Sequence, residues 1–156
     1  MLLSRLRCVG GLQMVATKVP NSDHVSRLCG ASKCDEDGRP LGEAFMLRDS
    51  DSYLSVNWLE RTGASSRAKQ LEEVRRHLTN KDVRLPARGR LAVLHLQTLV
   101  DYVQSESVDG RVLWALHEPE FPHDPSHSGI YGYTAEEQAI ADLIAKSDQD
   151  VYPAQG

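Results

Sequence analysis

Apolar and polar residues change rhythm several times along this chain, and each rhythm marks an element. Ala68, Leu71, Val74 and Leu78 recur at three- and four-residue steps with Glu72, Glu73, Arg75 and Arg76 between them. That spacing predicts an amphipathic helix running from a Ser65 or Ser66 cap to about Asn80. Leu96, Leu99, Val100 and Val103 repeat the pattern and predict a second, shorter helix. Thr134-Ala-Glu-Glu137 is a capping-box pattern that opens a third, with Ile140, Leu143 and Ile144 as its buried stripe.

Elsewhere the rhythm shortens to two. In Tyr53 to Trp58, Leu54, Val56 and Trp58 fall on one face and Tyr53, Ser55 and Asn57 on the other, so the first set is expected in the core. Glu43 to Arg48 reads as its hairpin partner across Asp49-Ser50-Asp51-Ser52. Arg90 to Leu96 and Arg111 to His117 are almost continuously apolar and read as interior strands. Pro20-Asn21-Ser22-Asp23 resembles a helix start and Gly30 a helix stop. His24 to Leu28 is therefore expected as a short helical turn, with His24 and Arg27 sharing a face. Gly30 to Leu41 reads as an exposed loop and Asp148 to Gly156 as a polar tail.

These elements predict an α+β fold: a single domain with an about four-stranded mixed sheet, packed by three helices and preceded by the short N-terminal helical turn. Residues 14–156 form that domain. Residues 1–13 are expected to be disordered, or a leader before a start at Met14, because their apolar stretch is too broken for a secretory signal.

Composition narrows the function. Of 156 residues, 40% are hydrophobic and 26% charged, which is ordinary globular usage. Asp+Glu exceed Lys+Arg by 22 to 18, leaving a net charge of −4 and no global field to attract nucleic acid. No apolar run approaches the roughly 20 residues of a membrane span, so no membrane association is expected. Three cysteines, Cys8, Cys29 and Cys34, make an odd and sparse set that suits a reducing compartment, and a cytoplasmic location is expected. Phosphate-binding glycine loops, dinucleotide fingerprints and the Gly-x-Ser-x-Gly elbow are all missing from the sequence.

The chemistry concentrates between Leu116 and Ile130. This stretch holds His117, His123 and His127 beside Glu118, Glu120 and Asp124, with Pro119, Pro122 and Pro125 stiffening the backbone. His117 reads as strand-end structure, whereas His123 and His127 are candidate acid and base. Asp124 would orient an imidazole, and Ser126, Ser128 or the Gly129 backbone would hold an oxyanion. His24 and Arg27 are the natural companions, because a guanidinium beside an imidazole suits a phosphate ester. Glu60 is a further candidate carboxylate. The expected activity is that of a metal-independent hydrolase or transferase acting on a phosphate ester or nucleotide, with no cofactor.

Two alternatives compete with it. In a noncatalytic protein-interaction module, Phe121, Tyr131 and Tyr133 would form one exposed patch. In a small zinc protein, Cys29 and Cys34 would join His24, His123 or His127, although the spacing fits no familiar finger. His95 is expected to be a satisfied core histidine, and His77 to lie on the polar side of its helix.

Overall fold

The computed structural model describes residues 6–9 and 12–156. Strands β1 (Leu6–Val9) and β2 (Leu12–Val15) pair as a separate two-stranded antiparallel ribbon. The expectation of disorder over residues 1–13 falls partly on residues 1–5, 10 and 11, which lie outside the described residues.

The main sheet contains β3 (His24–Cys29), β4 (Leu54–Trp58), β5 (Arg90–His95), β6 (Trp114–His117), β7 (His127–Tyr131) and β8 (Asp150–Pro153), in the order β6-β7-β4-β3-β5-β8. Each neighbouring pair is antiparallel. The sheet therefore has six strands rather than about four, and it is not mixed.

Three misread segments account for the difference. His24–Cys29 is a strand, not a helical turn: it pairs with β5 along its whole length, and a lone helical turn could not satisfy as many backbone groups. His127–Tyr131 reads as loop because its first three residues are His-Ser-Gly, yet all five residues are buried between β4 and β6. Asp150–Pro153, in the expected tail, pairs with β5 as an edge strand, where a proline is tolerated. Conversely, the expected strand Glu43 to Arg48 is a 3-10 turn over Gly42–Phe45 followed by extended chain.

The three helices lie where the periodicity puts them: α1 (Arg67–Asn80), α2 (Leu96–Glu106) and α3 (Gln138–Lys146). They cover opposite faces of the sheet. Leu71, Val74 and Leu78 of α1 pack with Leu91 and Val93. The stripes of α2 and α3 pack with Val25, Val56, Leu94 and Ile130 on the other side. Strand β5 feeds both cores alternately, which explains its continuous apolar sequence. Ser66 caps α1 by accepting from the Lys69 amide at 3.2 Å. Ser66→Ala should cost about 1 kcal/mol, read from the urea midpoint. None of the described helices is long and apolar enough to cross a membrane.

Candidate functional site

The site arises where two strands part. Strands β3 and β4 pair only at Val25↔Trp58 and Ser26↔Asn57, and past Ser26 they diverge. Arg27 spans the gap: its Nη1 donates to the Ser55 carbonyl at 2.9 Å and its Nε to the Ala44 carbonyl at 3.0 Å. A cleft of about 400 Å³ occupies the opening, bordered by Ser26, Arg27, Asn57, Lys81, Glu120 and His127. His127 lies opposite Asn57 and Asn57 opposite Ser26, so these three residues form one row across three strands.

Behind the cleft, the chain from β6 to β7 folds into a tight turn. Glu120 and Asp124 exchange backbone hydrogen bonds of 3.0 and 2.7 Å, with a cis Phe121–Pro122 peptide between them. Phe121 and His123 are exposed at its tip, whereas Asp124 is fully buried. Asp124 accepts from Asn57 Nδ2 at 2.7 Å and faces Lys81 Nζ at 2.6 Å. Asn57 Nδ2 also donates to Ser126 Oγ at 2.9 Å. Ser126 Oγ lies 3.1 Å from His77 Nδ1. Burial, the largest influence, pushes His77 below the ordinary imidazole value, so the neutral ring meets the serine hydroxyl. Ser126 is thus a fully buried member of a structural network, out of reach of a ligand.

His127 is held more openly toward the cleft. Its Nδ1 donates to the Glu118 carbonyl at 2.8 Å, which fixes the tautomer and leaves Nε2 facing Glu120 Oε1 at 3.1 Å. Lys81 Nζ is 3.3 Å from the same oxygen. Burial first, and the Lys81 charge second, hold His127 below the usual imidazole range against the opposing pull of Glu120 and Asp124. Two buried imidazoles with depressed values give a pH prediction. Each binds fewer protons folded than unfolded, so their contribution is fully present above the ordinary 6.5 and declines as pH falls below it. The urea midpoint should be lower at pH 5.5 than at 7.5, and the His77 and His127 ring protons should titrate below 6.5 by NMR. A midpoint above 6.5 for His127 would show that the carboxylates win.

The remaining candidates separate. As alternating residues on a strand, His24 and Arg27 lie on opposite faces, so the shared helical face is replaced by a sheet geometry that divides them. His24 Nδ1 contacts Glu60 Oε2 at 2.7 Å, and its backbone amide donates to Glu60 Oε1 at 2.8 Å. Its ring packs on His95, 4.9 Å between centroids. Glu60 is therefore occupied in holding His24, and His24 borders a different pocket, one that includes His95 and Asp150. Ser128 turns toward the α2/α3 side of the sheet and donates to the Ser126 carbonyl at 3.1 Å. Gly129 serves packing: a Cβ there would come within 2.4 Å of the Tyr53 ring. His77 is buried rather than on a polar helix face, because the last turn of α1 docks against the 120–127 segment.

Tyr131 and Tyr133 are buried, so the proposed aromatic patch is reduced to Phe121 alone. Cys29 is buried and its thiol pushed up to about 12 by burial, and Cys34 is raised in the same way. Among the described residues no group of three or more His, Cys, Asp or Glu side chains is arranged to hold a metal ion.

Sequence reasoning passed over Lys81 and Asn57. Lys81 follows the last turn of α1, and nothing local announces that it reaches Asp124. Asn57 sits on the strand face expected to be polar, and its burial depends on the 120–127 turn folding over it.

Fold and site together define an antiparallel α+β protein with a cationic cleft at a strand divergence. Arg27, Lys33, Arg48 and Lys81 line the cleft against two carboxylates, Asp51 and Glu120, although the chain as a whole is net acidic. No protein-family model, curated protein or solved structure matches the chain.

Proposed function

We propose that the cleft binds a small phosphate-bearing ligand and that His127 exchanges a proton with it, as in a hydrolase or transferase acting on a phosphate ester. The observation that carries this reading is the state of Arg27. Its guanidinium is half-buried, and burial is the main influence drawing its pKa below the ordinary value. It donates only to carbonyl oxygens, and among the described residues no carboxylate lies within ion-pair distance. Asp51, whose field reaches it, is held by Arg48 at 3.0 Å. A charge taken partly out of water without a counter-ion is costly, and an anionic ligand would offset that cost.

Ser26 supports the same reading. It borders the cleft at 1% exposure, and its Oγ has no hydrogen-bond partner among the described residues. A buried hydroxyl ordinarily has one. A phosphoryl oxygen would accept from it, on the face of the sheet that also carries His127.

The test is a thermal-shift panel of phosphate, several phosphate monoesters and nucleotides, with their dephosphorylated counterparts as controls. The phosphorylated compounds should raise the melting temperature, by an amount that grows with concentration as expected for binding to the folded state. Equal responses to each phosphorylated compound and its control would overturn the reading. For proton transfer, His127→Gln should leave a phosphate-induced shift in place while lowering any turnover by about a hundredfold or more.

A further inference from the structure

His127 can exchange a proton with a ligand only through Nε2, because Nδ1 is spent on the Glu118 carbonyl at 2.8 Å. That nitrogen is already covered. Glu120 Oε1 stands 3.1 Å from it, and the same oxygen accepts from Lys81 Nζ at 3.3 Å. Lys81 donates through its ammonium, and His127 donates as well whenever its ring carries a proton at Nε2. One carboxylate oxygen therefore fills the point on which two nitrogen groups of the cleft converge.

Glu120 is held quite differently from Asp124, the other carboxylate beside Lys81. Asp124 is fully buried and also accepts from Asn57. The Glu120 side chain is 51% exposed, and among the described residues its carboxylate touches only Lys81 and His127. Exposed ion pairs of this kind hold their partners weakly. Its backbone, by contrast, is pinned by the two hydrogen bonds exchanged with Asp124. Moving the carboxylate aside takes only rotation of an exposed side chain and leaves the turn and the buried network intact. There is room for it. A second lobe of about 270 Å³, which Glu120 and His127 also border, is lined by Arg48, Ser50 and Ser52, whose charge and hydroxyls suit a carboxylate.

We infer that Glu120 is a gate on the anion site: its carboxylate occupies the place of a ligand oxygen between His127 and Lys81, and the ligand binds by displacing it. The inference rests on the phosphate-ester reading above and adds the means by which that site is kept shut. The carboxylate and a phosphoryl group cannot share the position, because both are negative and both need the same donors. The phosphate monoester wins the exchange because it brings a charge of about −1.5 to −2 against the single charge of Glu120. Once Glu120 has turned away, His127 Nε2 and Lys81 Nζ both face the ligand, and Lys81 keeps its contact with Asp124 at 2.6 Å.

The experiment is calorimetric titration of inorganic phosphate into the full chain at pH 7 and low salt, on native protein, Glu120→Gln and Glu120→Asp. Glu120→Gln should bind phosphate about tenfold or more tightly than native protein, since the like charge and the competing ion pair are both lost. Glu120→Asp keeps the charge on a side chain one methylene shorter, which cannot cover both nitrogens. It should tighten binding by about threefold, the scale of an exposed ion pair. A gain in Glu120→Gln with none in Glu120→Asp would be a field effect of the charge alone and overturns the gate. Native protein gives a readout that needs no variant: the side-chain carboxylate carbon of Glu120 should shift in the NMR spectrum with the same saturation as the heat of binding. Phosphate binding that leaves this carbon unmoved, or that is no tighter in either variant, overturns the gate while leaving the phosphate reading standing. Binding to none of the three proteins overturns both.

Discussion

Replacing Asp124 with alanine should destabilise the protein by about 3 kcal/mol, the lower end of the cost of breaking a buried ion pair. Asp124 is fully buried, and two groups depend on it: Lys81 Nζ at 2.6 Å and Asn57 Nδ2 at 2.7 Å. Without it, Asn57 retains only Ser126 for its amide, and Lys81 faces a small cavity where a carboxylate stood. The lower end of the range applies because the Lys81 side chain is 19% exposed and can turn to Glu120, 3.3 Å away. Asp124→Asn keeps an acceptor for Asn57 but brings no charge to Lys81, so its stability should fall between native and alanine. Urea denaturation at pH 7 checks both. A loss below about 1 kcal/mol for the alanine variant would mean that the turn from Glu120 to Asp124 is not held as described.

Arg27→Met should weaken phosphate binding by about a hundredfold or more, the scale of removing one partner from a desolvated charge pair. The methionine fills a similar volume and removes a partly buried charge that no carboxylate balances, so the loss should appear in binding far more than in folding. The fold is not indifferent to the change, since the Ala44 and Ser55 carbonyls lose a donor. Ser55 is exposed and regains water, which leaves Ala44 as the principal cost. Arg27→Lys keeps the charge but cannot bond two carbonyls and a ligand from one compact ammonium, so its affinity should be intermediate.

The sequence made the helices plain and several strands obscure, for physical reasons visible at particular residues. The stripe of α2 is Leu96, Leu99, Val100 and Val103, and these are the helix's buried residues. A helix repeats its pattern over several turns, so a local reading suffices. Strand β3 failed that reading because Asp23 and Gly30 mimic helix caps. In the fold, Asp23 Oδ2 instead accepts from the Trp58 indole at 2.8 Å, a contact 35 residues away in sequence. Strand β7 failed because His127, Ser128 and Gly129 are polar or small, and their burial comes from β4 on one side and β6 on the other. Its residues obey the sheet environment, not an intrinsic strand preference.

The site divides in the same way. Asp124 and His127 could be named from the density of titratable groups near the 120–127 turn, and Arg27 only as the companion of His24, from which the strand separates it. His24 and Glu60, named on similar grounds, bind each other, and His24 borders another pocket. Lys81, His77 and Asn57 carry ordinary sequence signals, and their roles follow only from the last turn of α1 meeting that turn. Tyr53 looked like the polar side of a strand, and its place over Gly129 depends on the β4–β7 register. A register shift of one residue would send each of these side chains to the opposite face.

The central claim is that Arg27 is a cation awaiting an anionic partner, and calorimetric titration of inorganic phosphate into native protein and Arg27→Met tests it most directly. Both proteins would be measured in one buffer at low salt, after urea denaturation has shown that each is folded. Saturable one-site binding to native protein is expected, with a loss of about a hundredfold or more in the variant. Equal affinity in the two proteins, or no binding to native protein, would contradict it.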